Sequence, residues 1–183
     1  KSTALNIIGA LDKPSSGRVL VDGRDLGALS SSRLSELRLN RLGFIFPAYN
    51  LIPVLTAYEN AEFVLLLRGV PEKVRREKVL KVLHEVGLQD LADRRPAQLS
   101  GGQQQRVAIA RAVVADPALV LADEPTANLD SKTAESLLDL MLNMNRLHGT
   151  TFIFSTHDQR VMDRARRLVQ LRDGRVVGDE KRA

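Results

Sequence analysis

LSGGQQQRVAIARAVVADPALVLADEP (Leu99–Pro125) holds a helix start, a helix and a buried strand in one stretch. Ser100 and Gln103 have the S-x-x-Q spacing of a capping box, and the pattern predicts a helix over Gln103–Ala115 with two glycines easing the turn into it. Leu119–Ala122 (LVLA) is then an unbroken apolar run that stops at two acids, Asp123 and Glu124. Leu42–Phe46 (LGFIF) and Thr151–Phe154 (TFIF) have the same character. Runs of this kind suit strands covered on both faces, hence an α/β fold in which helices flank a parallel sheet.

The remaining segments fit around that sheet. Ser2–Leu11 has helical spacing, Gly17–Gly23 reads as a short strand entering a turn, and Ser30–Leu39 as an amphipathic helix with serine caps. Thr56–Leu67 and Glu72–Val86 are helical, dense in charge and free of strand signals, which marks a separate helical subdomain. Ser131–Leu147 places Ala134, Leu137, Leu138 and Met141 on one helix face. Leu168–Val177, turning at Asp173-Gly174, reads as a hairpin.

Composition narrows the function classes. With 183 residues and 44% hydrophobic content the chain can bury a sizeable core in one domain, with or without a small subdomain. Its apolar stretches fall far short of the roughly 20 residues that a membrane-spanning helix needs. The absence of cysteine excludes disulfides and thiolate metal sites, and the three histidines lack metal-ligand spacing. A net charge of +5 favours anionic company, whether nucleotide, nucleic acid or an acidic lipid surface.

Four short motifs carry chemistry. Asp123 and Glu124 fall at the carboxyl end of a buried strand, where ligands bind in open α/β sheets. An aspartate there can hold Mg²⁺ or its waters, and the adjacent glutamate can orient and deprotonate an attacking water. TFIFSTHD (Thr151–Asp158) places His157 past another strand on the same sheet edge, where an imidazole can bond a γ-phosphate oxygen. The glycines of LSGGQ would also let a phosphate approach backbone N–H groups at a helix start. Lys1-Ser2-Thr3 before a helix has the residues that end a phosphate-binding loop. Taken singly, each also reads as ordinary structure: solvated acids before a proline, a structural histidine, a capped helix, an exposed terminus.

The ordered set, with Asn128-Leu129-Asp130 between the acids and the histidine, resembles the ATP-binding cassette (ABC) ATPases over essentially the whole chain. LSGGQ followed about twenty residues later by LADEP is the specific part of that likeness. It implies an α/β P-loop NTPase (RecA-like) core with a mostly parallel sheet plus a helical ABC signature subdomain. Residues 1–183 would then be a single ABC ATPase domain lacking its N-terminal strands and cut within the Walker A loop, with 48–102 a helical subdomain inserted in a core of 1–47 and 103–183.

The resemblance also assigns roles. Lys1 would pair with the β- and γ-phosphates of ATP, Ser2 would coordinate Mg²⁺ and Thr3 would reach the α-phosphate. Asp123 would act on Mg²⁺ through water, with Glu124 the general base and His157 the γ-phosphate sensor. Ser100, Gly101, Gly102 and Gln103 would form the signature that covers ATP held by a second cassette, and Asp130 would sit in the loop between the two sites. The implied partners are a second ABC ATPase subunit, as a homodimer, and a transmembrane permease, with no nucleic acid. The implied location is cytoplasmic, at the inner face of the cell membrane.

One departure stands out in FIFPAYNL (Phe44–Leu51), where the family pattern has glutamine at Pro47. Proline can neither donate to nor touch a metal-bound water through its side chain, and it biases Phe46 toward extended geometry. Several stretches, among them LADEPTANLD and LVQLRDGRV, look most like the lipoprotein-release and macrolide-export branch. Two other readings stay open from sequence: a soluble non-transport ABC ATPase, and a weakly hydrolysing regulatory module because of Pro47.

Overall fold

The computed structural model describes residues 1–182. Helix α1 (Ser2–Ile8) stops before the Leu11 that its apolar spacing predicts. Ala10 takes a left-handed φ of 57° and the Leu11 N–H donates back to the Asn6 carbonyl, so the chain turns there. Only part of Gly17–Gly23 is extended: β1 (Leu20–Val21) turns through Asp22-Gly23 and pairs with β2 (Arg24–Asp25). The Ser30 hydroxyl caps α2 (Ser31–Arg41), which runs directly into β3 (Leu42–Ile45).

Two helices follow. Thr56 and Glu59 close a capping box at the head of α3 (Ala57–Leu67), and a left-handed Gly69 leads toward α4 (Glu72–Glu85). Ahead of α3, the loop 51–55 is stitched down by Asn60, which is fully buried. Its side-chain amide donates to the Ile52, Leu55 and Thr56 carbonyls and accepts from the Ile52 N–H, so every polar atom of that side chain is used.

Next come α5 (Gly101–Val113), β4 (Leu119–Asp123), α6 (Ser131–His148), β5 (Thr151–Ser155) and α7 (Gln159–Arg164). Strands β6 (Arg167–Arg172) and β7 (Arg175–Lys181) form the expected hairpin, longer at both ends than Leu168–Val177. The three apolar runs pair in parallel in the order β3-β4-β5, with Ile45 opposite Ala122 and Asp123 opposite Ser155. That register sets the carboxyl ends of β4 and β5 side by side.

Helix α5 lies at the centre of the main core. Val107, Ile109, Ala110 and Val113 are buried against β3 on one side and the α3–α4 layer on the other. Each such large aliphatic side chain contributes about 1.5–3 kcal/mol when fully buried. Gly43 of β3 permits this closeness, because a Cβ there would run into the Ala112 carbonyl of α5. In β5, Phe152, Ile153 and Phe154 are half-buried, and a groove of about 970 Å³ runs between them, α1, α6 and β6.

Candidate functional site

Glu124 follows β4 with a left-handed φ of 43°, a conformation that costs a non-glycine residue roughly 1–3 kcal/mol. Its N–H donates to the Ser155 carbonyl at 2.9 Å, which carries the β4–β5 pairing one residue past the strand and aims the side chain across the end of β5. There Oε1 lies 2.8 Å from His157 Nδ1, and Oε2 accepts from the Thr156 hydroxyl at 3.3 Å. Glu124 is 23% exposed and His157 78%, so the carboxylate is sheltered while the imidazole projects outward. Lys1 completes this group, its Nζ donating to the Thr156 carbonyl.

Asp123 ends β4, and its Oδ1 is buried with no hydrogen-bond partner among the described residues. An unsatisfied buried acceptor costs about 1–3 kcal/mol, and a bound cation or one of its waters would remove that cost. The residue therefore fits the metal role better than a structural one. Ser2 and Thr3 lie exposed in the first turn of α1, directly after Lys1.

Sequence reasoning passed over the residues that hold this edge in shape. Asp158 caps α7, pairs with Arg160 and accepts from the Thr126 hydroxyl at 3.0 Å, so it locks the loop after β4 to the loop after β5. The Arg160 hydrogen bonds foremost hold its carboxyl down to about 2. An acid one residue before an amphipathic turn was the available signal. Gln105, fully buried, donates to the Pro125 carbonyl at 2.8 Å and ties α5 to the same loop. A buried glutamine in a run of three gives no such signal.

Around the start of α5 the capping box is complete. The Ser100 hydroxyl accepts from the Gln103 N–H at 3.3 Å, and Gln103 Oε1 accepts from the Ser100 N–H at 2.8 Å. The helix therefore begins at Gly101, earlier than the predicted Gln103. The glycines have a use that phosphate access alone does not supply: a Cβ on Gly101 would lie 2.8 Å from the Tyr49 hydroxyl, and one on Gly102 2.6 Å from Thr133 Cγ2. Asp130, at the end of the loop after β4, also caps α6. Its two oxygens accept from the Thr133 N–H at 3.0 Å and the Thr133 hydroxyl at 2.6 Å, and these bonds hold its carboxyl below the ordinary aspartate range.

The predicted residues thus fall into two groups. Lys1, Glu124 and His157 meet at the ends of β4 and β5 beside Asp123, whereas Ser100–Gln103 and Asp130 meet through Thr133. Pro47 adjoins the loop after β4, where its carbonyl accepts from the Asn128 side chain at 2.9 Å.

A parallel sheet carrying an acid pair at one strand end and a histidine at the next defines a P-loop NTPase core of the nucleotide-hydrolysing kind. Residues 1–127 match the family described as ABC transporter, and the chain belongs to that family. It is 46% identical to the lipoprotein-releasing system ATP-binding protein LolD 1 of Rhodopseudomonas palustris, over 97% of this chain and 79% of that protein. It is also 46% identical to the macrolide export ATP-binding/permease protein MacB of Brucella melitensis, over 98% of this chain but only 28% of that longer protein. A dimeric, post-hydrolysis structure of the ATP-binding cassette MJ0796 bound to ADP and Pi superposes with a TM-score of 0.88 at 43% identity, covering 98% of this chain and 79% of that one. The activity class is that of an ATPase subunit of a transporter. Among the described residues no helix is long and apolar enough to cross a membrane.

Proposed function

We propose that the β4–β5 end is the hydrolytic half of an ATP site that a second copy of the cassette completes. Lys1 neutralises the β- and γ-phosphates, Thr3 reaches the α-phosphate, and Ser2 with Asp123 would hold Mg²⁺, which would supply positive charge to screen the phosphates. Glu124 takes the proton of the attacking water as its oxygen bonds to the γ-phosphorus, and the bond to the ADP oxygen breaks. His157 holds Glu124 through Nδ1, and its exposed ring reaches toward the γ-phosphate.

Ser100, Gly101, Gly102 and Gln103 then cover the nucleotide held by the partner, and Asp130 lies between the two sites. A contact of this kind exists only while the γ-phosphate is present, so hydrolysis releases the partner. Residues 48–102 form the inserted helical subdomain. The loop 49–55 and α3, with Leu66 and Leu67 exposed on it, meet a membrane permease at the inner face of the cell membrane. The names of the relatives support cargo of the lipoprotein-release or hydrophobic-efflux kind.

The observation that carries the reading is the Glu124 carboxylate strung between His157 and Thr156 on a strained backbone. Turnover of Mg-ATP by the intact protein tests it beside Glu124→Gln. Loss of a general base lowers the rate by about 100- to 10,000-fold, and a variant that keeps hydrolysing removes Glu124 from that role.

A further inference from the structure

Gly101 is a glycine that its own backbone does not require. It lies in regular helix with no left-handed φ, where alanine is the better helix former. What excludes a side chain is one atom. The Tyr49 hydroxyl would meet a Cβ at 2.8 Å, whereas the next neighbours, Tyr49 Cζ and Leu129 Cδ2, lie at ordinary contact distances of 3.8 and 3.9 Å.

Tyr49 is itself held in an unusual place. Tyr49 and Asn50 take successive left-handed φ values of 61° and 47°, rare for residues with side chains. Arg111, further along α5, donates to both of their carbonyls, and Asn128 holds the Pro47 carbonyl just before them. The loop after β3 therefore lies along α5, gripped by Arg111 at one point and seated on the first turn at another. On the other side of that turn Gly102 meets Thr133, whose hydroxyl is fixed by Asp130.

We propose that Tyr49 is a positioning residue for the LSGGQ turn, its ring packed against Gly101 fixing where that turn presents its N–H groups and tying the turn to the loop 47–55. This rests on the cassette reading above and gives it a mechanical link. A displacement of the loop moves Tyr49, and the close-packed Gly101 turn follows it against Thr133. The signature thereby follows the state of the loop from within its own chain.

The test is a compensating pair in the intact protein. Gly101→Ala pushes against the Tyr49 hydroxyl and displaces the turn. It lowers kcat by about 100-fold, the scale of a misplacement near 1 Å, with the affinity of the nucleotide's own half-site unchanged. In a Glu124→Gln background it weakens ATP-driven association. Adding Tyr49→Phe removes the one offending oxygen and restores both kcat and association. A double variant no better than Gly101→Ala overturns the proposal, because the methyl is then excluded by the partner's nucleotide. Should Gly101→Ala not fold, recovery of a cooperative melt and turnover in the double variant is the same support, and continued failure the same refutation. Absence of Glu124-dependent turnover in the wild type sinks the cassette reading and this inference together; its presence without rescue sinks this inference alone.

Discussion

Glu124, His157 and Asp158 all stand just past the ends of β4 and β5 but differ in what their loss should do. His157 touches Glu124, the proposed base, and its ring projects outward, so on that reading His157→Ala should lower kcat by at least about 100-fold, as general acid–base partners do, while ATP affinity changes little. Steady-state kinetics beside equilibrium nucleotide binding separate the two, and an equal loss in both would mark a structural histidine. Asp158 is different, since its carboxyl is depressed to about 2 by Arg160. A depressed carboxyl contributes stability that is fully present above its unfolded-state pKa near 4 and is lost as pH falls toward 2. Asp158→Asn should therefore lower the melting temperature at pH 7 and flatten its fall between about pH 4 and pH 2; an unchanged acid limb would show that Asp158 does not fasten the two loops.

At the scale of elements, the first turn of α5 and the β3–α5 contact carry the clearest consequences. Ser100→Ala removes one half of a complete capping box and should cost about 0.5–2 kcal/mol, read as a drop of a few degrees in melting temperature. Gly43→Ala drives a methyl into the α5 backbone, which cannot give way as a side chain does, and should cost about 1–3 kcal/mol. The capping box, the three parallel strands and the paired helices were legible because each is written in local spacing. So was the position of Glu124 beside His157, since two buried strands ending at chemistry-bearing residues must bring them to one edge. The contacts of Tyr49 with Gly101 and of Thr133 with Gly102 were not legible, because a glycine in sequence does not say which distant atom needs its space.

For the molecule as a whole, the two residue groups are what the proposed function needs if a single copy is half of an ATP site. Glu124 and His157 stand at one edge of the sheet, while the LSGGQ turn stands between the loop 47–55 and α6, with its capping groups satisfied within the chain and its glycines packed by Tyr49 and Thr133. Such a turn is preorganised, so a second cassette would meet it without reordering, and the association would depend on the γ-phosphate. The most direct measurement is the sedimentation velocity of the intact Glu124→Gln protein in Mg-ATP and in Mg-ADP. The account predicts a dimer in ATP that dissociates to monomers in ADP, and the same sedimentation in both nucleotides would contradict it.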